Sequence, residues 1–478
     1  MNIVDAMRDP QLFKPWFKEP ATWAAWEAFL CAMFGLPMTA DQRALFTRCT
    51  GRTTAPGAPF NEAWLCCGRR SGKSFILALI AVYWATCRDW RPFLSPGERG
   101  HVLVLACDRA QARAIMRYAT ALLEEVALLA PLVERVTAEE IDLTNRVSIE
   151  ITSASFRSLR GRTVIAGLVD EIAFLRDETS ANPDESILAA LRPAMATIPG
   201  AMLLCASSPY ARRGAMWNAF RRYWGADDAP ALFWQSATRT MNPTVPQAVV
   251  DEAFERDPAS AEAEFNATFR SDVAEWISRA VVDAATVPGR FEMGRLAGTR
   301  YVGFCDPAGG SGSDSMTLAI AAVERSGMGT SAPSRAILAA VREVRPPFSP
   351  EQTTAEFAEV LRGYGLSRVT GDRYGGSWPS EQFAKYGIAY EPSPRTKSEI
   401  YVDALPILNS GRCELLDIPR LGGQLCALER RTARGGRSSV DHPPAGRDDL
   451  ANAVCGSLVM ALGETANTAL ARAKILCH

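Results

Sequence analysis

Lysine is nearly missing from this chain. Of 52 basic residues in 478, only six are lysines, at 14, 18, 73, 385, 397 and 474, and Lys73 stands alone between Lys18 and Lys385. A sequence that otherwise uses arginine has kept a compact ammonium at one place, where a planar guanidinium fork would not substitute. Net charge is lacking too: 52 basic against 53 acidic residues give −1, so no global basic field exists and any nucleic-acid surface must be local. The 12 cysteines contain no C-x-x-C pair, and several sit in apolar runs. That fits buried thiols in a reducing, cytosolic compartment better than a disulfide framework. No apolar run is long enough to span a bilayer, which takes roughly 17–25 residues. The longest, Phe75–Cys87, reads as a buried helix, and the N-terminus has no apolar stretch of the kind an export signal carries.

What is present is an average soluble composition, 47% apolar and 22% charged. At roughly 100–200 residues per domain, the length predicts two to four domains. Residues 1–60 read as a Trp- and Phe-rich helical segment, and 61–240 as alternating strands and helices. Strands are predicted at Ala63–Cys67, His101–Ala106, Val147–Ser153, Val164–Val169 and Ala201–Ala206. Helices are predicted at Lys73–Thr86, Ala110–Leu129 and Glu185–Ala196. Such alternation predicts an α/β unit with a mostly parallel sheet. From 209 to 300 the strand signal fades, and 241–299 reads as a helical subdomain and linker. A second unit over 300–465 opens with three consecutive strands, Tyr301–Asp306, Met316–Val323 and Arg335–Val344. A helix (Pro350–Tyr364), a strand (Val369–Asp372) and a helix (Pro379–Tyr386) follow, then a closing helix from about Asp448 to Leu462. That order predicts a ribonuclease-H-like fold, with 466–478 as a tail.

Two constellations carry chemistry. Cys67-Gly68-Arg69-Arg70-Ser71-Gly72-Lys73-Ser74 joins an apolar strand to an apolar helix. A glycine-bearing turn lets backbone N–H groups approach phosphate, and the helix N-terminus favours negative charge. Lys73 would reach the β/γ-phosphates and Ser74 would ligate Mg²⁺. Cys67 stands where the usual motif has glycine, and Arg69 and Arg70 replace small residues. Asp170 and Glu171 end a second apolar strand, suited to hold Mg²⁺ through water and to orient and deprotonate the attacking water. Ser207 and Ser208 end a third strand, where a hydroxyl can sense the γ-phosphate. The run from Ser153 to Arg162 offers Arg157, Arg160 and Arg162, each an arginine-finger candidate, a DNA contact or part of a solvated basic turn.

The second constellation is spaced carboxylates. Asp306 and Asp372 end strands, and Asp448 and Asp449 open an apolar helix. Singly, each reads as a turn former, a strand cap or a helix cap. Together, with the first and fourth strands adjacent, three carboxylates can hold two Mg²⁺ or Mn²⁺ ions for phosphodiester hydrolysis. Asp448 and Asp449 point to different sides of a helix, so only one is a direct ligand. Asp314 and His442 are weaker candidates, and Arg430–Arg437 could meet a phosphate backbone.

The P-loop with arginines inside it, Leu168-Val169-Asp170-Glu171, Ala206-Ser207-Ser208-Pro209, Asp306, Asp372 and Gly446-Arg447-Asp448-Asp449-Leu450-Ala451-Asn452-Ala453 follow in this order. The set resembles the large subunit of a tailed-phage terminase. The resemblance implies an N-terminal P-loop ATPase of the ASCE, RecA-like type and a C-terminal ribonuclease-H-like nuclease. It implies ATP and Mg²⁺ as cofactors, with Mn²⁺ accepted at the nuclease, and ATP-driven packaging and cutting of concatemeric double-stranded DNA. It further implies Gln42 as reader of the adenine edge and Arg160 as a finger acting on a neighbouring subunit. The implied partners are DNA, a portal protein, a small terminase subunit and further copies in a ring, expected to be a pentamer. The implied place is the cytoplasm of an infected bacterium, with no membrane and no retention in the virion. A helicase-type translocase with nuclease, or a nucleotide-switched assembly protein without nuclease activity, are the competing readings.

Overall fold

The computed structural model describes residues 1–107, 109–153, 161–175, 183–324, 334–373, 376–432, 438–443 and 446–476. The chain divides into two compact units, one built on Met1–Asp177 and Asn182–Asp272, the other on Val273–His478.

The first unit is organised by one eight-stranded sheet. Its strands are β1 (Glu62–Cys67), β2 (Gly100–Ala106), β3 (Val133–Val136), β4 (Glu140–Leu143), β5 (Val147–Ser153), β6 (Thr163–Asp170), β7 (Met202–Ser207) and β8 (Leu232–Ser236). The order across the sheet is β3-β4-β5-β2-β6-β7-β1-β8. From β5 to β8 all pairings are parallel, while β3 and β4 add an antiparallel edge. Strands buried on both faces can be apolar throughout rather than alternating, and Ala63–Cys67 and Val164–Val169 are of this kind. The helix Lys73–Thr86 is buried without a break from Ile76 to Ala85, so it is a core helix rather than an amphipathic one. The strand bearing the P-loop, β1, is separated from the strand ending in Asp170, β6, by one strand, β7. That is the order of an ASCE-type ATPase sheet.

The stretch after 209, where the strand signal fades, nevertheless holds two short strands, Leu232–Ser236 and Val273–Glu275. Leu232–Ser236 forms β8 and pairs in parallel with β1. Five residues are too few for a period to register, and it is the neighbouring β1 that makes them a strand. The hairpin β3–β4 also lies outside the strands predicted above.

The second unit contains β9 (Val273–Glu275), β10 (Tyr301–Asp306), β11 (Met316–Glu324), β12 (Arg335–Val344), β13 (Arg368–Gly371), β14 (Ala389–Pro392), β15 (Cys413–Glu414), β16 (Glu429–Thr432) and β17 (Ser438–Asp441). The main sheet runs β14-β13-β10-β11-β12-β15, and β17-β16-β9 form a small second sheet. Strands β10, β11 and β12 are antiparallel neighbours, and β13 and β14 continue in parallel beside β10. With β10 as first strand, the order third-second-first-fourth-fifth is ribonuclease-H-like.

The closing helix, Asp449–Leu476, packs on β10 through Gly456. A Cβ at Gly456 would stand 2.5 Å from the Phe304 ring, so only glycine lets the helix lie this close. In an open helix, alanine gains about 1 kcal/mol over glycine, but overpacking a core costs about 1–3 kcal/mol. Gly456→Ala should therefore lower the melting temperature. Gly463→Ala, on the same helix with nothing among the described residues within 4 Å of the new methyl, should raise it or leave it unchanged. Thermal melts of the full chain check both, and equal effects would contradict the close approach.

Candidate functional site

In the first unit the loop after β1 is braced from outside through its carbonyls. Trp26 Nε1 donates to the Ser71 carbonyl (2.9 Å), Thr238 Oγ1 to that of Arg69 (2.7 Å) and Asn242 Nδ2 to that of Arg70 (2.8 Å). Gly68 is sterically required, since a Cβ there would meet Thr238 Oγ1 at 2.2 Å. Gly72 has φ +99°, a left-handed conformation that glycine adopts without penalty, and it starts the helix. Lys73 is 6% exposed. Its Nζ donates to the carbonyls of Cys67 (2.9 Å) and Gly68 (3.2 Å) and to Ser208 Oγ (3.2 Å), and lies 3.8 Å from Glu171 Oε1.

The strand order accounts for that convergence. β7 lies between β1 and β6, so Ser207 and Ser208 at its end stand between Lys73 and Glu171. Glu171 Oε2 accepts from Ser207 Oγ (3.0 Å) and from the Ser208 N–H (3.2 Å). Glu171 also has φ +52°, an uncommon conformation for a residue with a side chain. Asp170 is buried; burial raises its pKa, the Glu171 charge raises it further, and Lys73 opposes both. Among the described residues, the Ser71 hydroxyl is buried without a hydrogen-bond partner. An orphaned hydroxyl, a buried ammonium and a desolvated carboxylate are a donor set that fits a nucleotide phosphate with Mg²⁺. A cavity of about 290 Å³ borders Ser71 and Gly72, with Trp16, Trp23, Asn242 and Thr244 in its walls.

The more peripheral candidates fare differently. Gln42 does not line that cavity. Its side-chain oxygen accepts from the Thr39 N–H (2.9 Å) in a capping box that starts the helix Ala40–Thr50. Arg69 pairs with Glu264 at 3.3 Å. Arg157 and Arg160 lie outside the described residues, and Arg162 pairs with Glu150 at 2.7 Å.

In the second unit β10 and β13 are parallel neighbours, Cys305 opposite Gly371. Asp306 at the end of β10 and Asp372 just after β13 are thereby brought together. A side chain at position 371 would collide with the Cys305 carbonyl at 2.3 Å, so this glycine keeps the strands in register at the site. Asn452, one turn into the closing helix, donates through Nδ2 to Asp306 Oδ2 (2.9 Å) and Asp372 Oδ2 (2.7 Å).

Asp448 and Asp449 diverge, as helical geometry requires. Asp448 accepts from Tyr401 Oη (2.7 Å), and its Oδ2 lies 3.1 Å from Lys397 Nζ. Asp449 accepts from the Ser315 N–H at 2.8 Å. His442 Nε2 lies 4.0 Å from Asp448, with its Nδ1 against the Pro443 carbonyl. Asp314 is exposed in its turn and accepts from Ser313. Of the arginine run, Arg430 bonds Ser438 and Arg431 pairs with Glu429, and 433–437 lie outside the described residues.

Sequence reasoning missed Asn452, Lys397 and Tyr401. The spacing Asp448–Asn452, four apart and so on one helix face, was the signal for the first. Lys397 is one of only six lysines, but sequence reasoning assigned it no role beside Lys73, the lysine that stands alone.

Charge is in excess here. Burial raises the pKa of Asp306 well above its usual value, with Asp372 adding to the shift, and burial raises Asp372 and Asp449 as well, the last to about 6. Lys397 is the cation beside Asp448; its burial works against its charge, but Asp448 outweighs it and the pKa rises. Ionised carboxylates crowded in a dry place fit divalent cations with oxygen ligands. A carboxyl raised in the folded state stays protonated when the unfolded one has ionised, so folding stability falls as pH rises through that window. Without divalent cations the protein should therefore lose stability from about pH 4 to beyond about pH 6. The gain in melting temperature on adding Mg²⁺ in place of EDTA should be larger at about pH 8 than at about pH 5. A gain that does not change with pH would contradict the cluster's excess charge.

No protein-family model and no curated protein matches the sequence. Among solved structures, the chain is similar to the large terminase of bacteriophage HK97 (16% identity, 89% of this chain and 100% of that one, TM-score 0.38). It is similar to the large terminase of a thermophilic bacteriophage in complex with ADP (12% identity, 87% and 97% covered, TM-score 0.38). The large terminase nuclease of thermophilic phage G20c with bound magnesium is similar over 38% of this chain and 95% of that one (15% identity, TM-score 0.31).

Proposed function

We propose that this chain is the motor and nuclease of a viral DNA-packaging machine. It would hydrolyse ATP to move double-stranded DNA into a procapsid, and cut concatemeric DNA with divalent cations. The observation that carries this reading is the presence in one chain of two strand-end clusters: Lys73, Ser208 and Glu171 around a P-loop, and Asp306, Asp372 and the start of the closing helix on a ribonuclease-H-like sheet. ADP and magnesium, bound in the similar structures, are the ligands to test first.

In the nucleotide site, Lys73 would leave the loop carbonyls for phosphate oxygens, and the loop N–H groups would bind the remaining phosphate charge. Asp170 and Ser74 would hold Mg²⁺. Glu171, released from Ser207 and Ser208, would orient the attacking water and take its proton. The base would occupy the cavity walled by Trp16 and Trp23, where an indole face can stack on it. In the nuclease site, Asp306 and Asp372 with one of Asp448 and Asp449 would hold the cations. Bound cations there would stabilise charge on the scissile phosphate and the departing oxygen.

Unit by unit, the competing readings lose ground. A two-domain helicase needs a second RecA-like sheet, whereas β10–β12 are antiparallel. A switch protein without nuclease activity leaves the dry carboxylate cluster without a purpose. A portal, a small subunit, a ring of copies with Arg160 acting between neighbours, and an infected bacterial cell belong to the same proposal.

Lys73→Ala should reduce ATP turnover at least about a hundredfold while Mn²⁺-dependent plasmid cutting persists. Turnover within a few-fold of wild type would refute the P-loop assignment. Glu171→Gln should still bind ATP with Mg²⁺ but hydrolyse it poorly, as measured by nucleotide binding beside phosphate release. Conversely, Asp306→Asn and Asp372→Asn should stop plasmid cutting and spare ATP hydrolysis. Normal cutting by either would move the metal site elsewhere.

A further inference from the structure

Asn452 is fully buried, and its two polar atoms are treated unequally. Nδ2 serves two carboxylates, Asp306 Oδ2 at 2.9 Å and Asp372 Oδ2 at 2.7 Å. Among the described residues, Oδ1 is buried with no hydrogen-bond partner. An amide carbonyl has two lone pairs, and leaving them unpaired in a dry site is unfavourable. The rest of the residue is held firmly: its N–H donates to the Asp448 carbonyl at 2.7 Å in the first turn of the helix. The side chain thus stands in a fixed place with a donor toward the acidic pair and an acceptor unused.

We propose that Asn452 is a metal ligand through Oδ1, reached by a half-turn of its amide about the Cβ–Cγ bond. The inference rests on the reading of Asp306 and Asp372 as holders of a divalent cation. Without a cation, the two N–H groups lie between carboxylates that would otherwise repel each other. A nitrogen bearing hydrogens cannot remain beside a cation held by the same oxygens. The amide oxygen can, and Mg²⁺ and Mn²⁺ both favour oxygen ligands. The half-turn exchanges the two atoms with no backbone movement: the orphaned oxygen gains the cation, and the NH2 gives up its two carboxylates and takes the place the oxygen leaves. It also explains the residue type. Lysine would neutralise the pair permanently, while leucine would leave it to repel; asparagine serves both states without altering the charge.

Mn²⁺ binding to the full-length, nucleotide-free protein tests this, by calorimetry or by the signal of free Mn²⁺ in electron paramagnetic resonance. Asn452→Leu, close in volume, should bind Mn²⁺ at least about tenfold more weakly than wild type, with a cooperative melt in EDTA as the check on folding. Asn452→Asp, which places an oxygen at either position, should bind at least as tightly as wild type. If the amide were only a bridge for the metal-free carboxylates, removing it would remove a competitor. Asn452→Leu would then bind Mn²⁺ equally or more tightly, and the inference would be overturned. Weaker binding by Asn452→Asp would overturn it too, even if Asn452→Leu failed to fold. No Mn²⁺ binding by the wild type would overturn the reading of the carboxylates themselves, and the inference with it.

Discussion

Charge placed at the end of a buried strand has to be balanced by something other than water. Both units are organised around that requirement. Parallel strands in the middle of a sheet have their faces covered, so polar chemistry collects at their ends, where solvent reaches only part of each side chain. Asp170 and Glu171 stand at such an end, as do Asp306 and Asp372. The neighbours of each can be understood as answers to the same electrostatic cost.

The two answers differ. In the first unit the balancing cation belongs to the chain: Lys73 reaches over from the neighbouring loop, with Ser207 and Ser208 between it and Glu171. That arrangement is nearly neutral within itself and is disturbed by an incoming anion, which Lys73 would follow. In the second unit Lys397 stands against Asp448, and an uncharged amide bridges Asp306 and Asp372. The imbalance left there suits a cation from solution. The first arrangement suits an anion such as phosphate and the second a divalent cation.

Close backbone approach is the second constraint. Gly68 lets the P-loop pass under Thr238, Gly371 keeps β13 against the Cys305 carbonyl, and Gly456 lets the closing helix lie on the Phe304 ring. Each admits no Cβ, and each stands within a few residues of functional side chains. Precision at these sites comes from backbones pressed together, with the polar side chains positioned as a consequence.

Local signals in the chain determined a good deal. The alternation of apolar strands with helices, the glycine-bearing turn ending in Lys73, and carboxylates at strand ends are patterns of neighbours along the sequence. The two α/β units were therefore legible there, and Lys73, Asp170, Glu171, Asp306 and Asp372 stood out as candidates. The helix cap that engages Gln42 is local in the same way, since Thr39 lies one turn before it. Tertiary structure decided what depends on partners distant in sequence. Leu232–Ser236 is a strand because β1 lies beside it. The aromatic wall beside the P-loop comes from Trp16 and Trp23, far upstream of Ser71. Asn452 meets Asp306 and Asp372 only once strand pairing and the Gly456 contact have closed gaps of 146 and 80 residues. Hydrogen bonds and charge act over a few ångströms of space, and the sequence by itself does not record which distant residues that space contains.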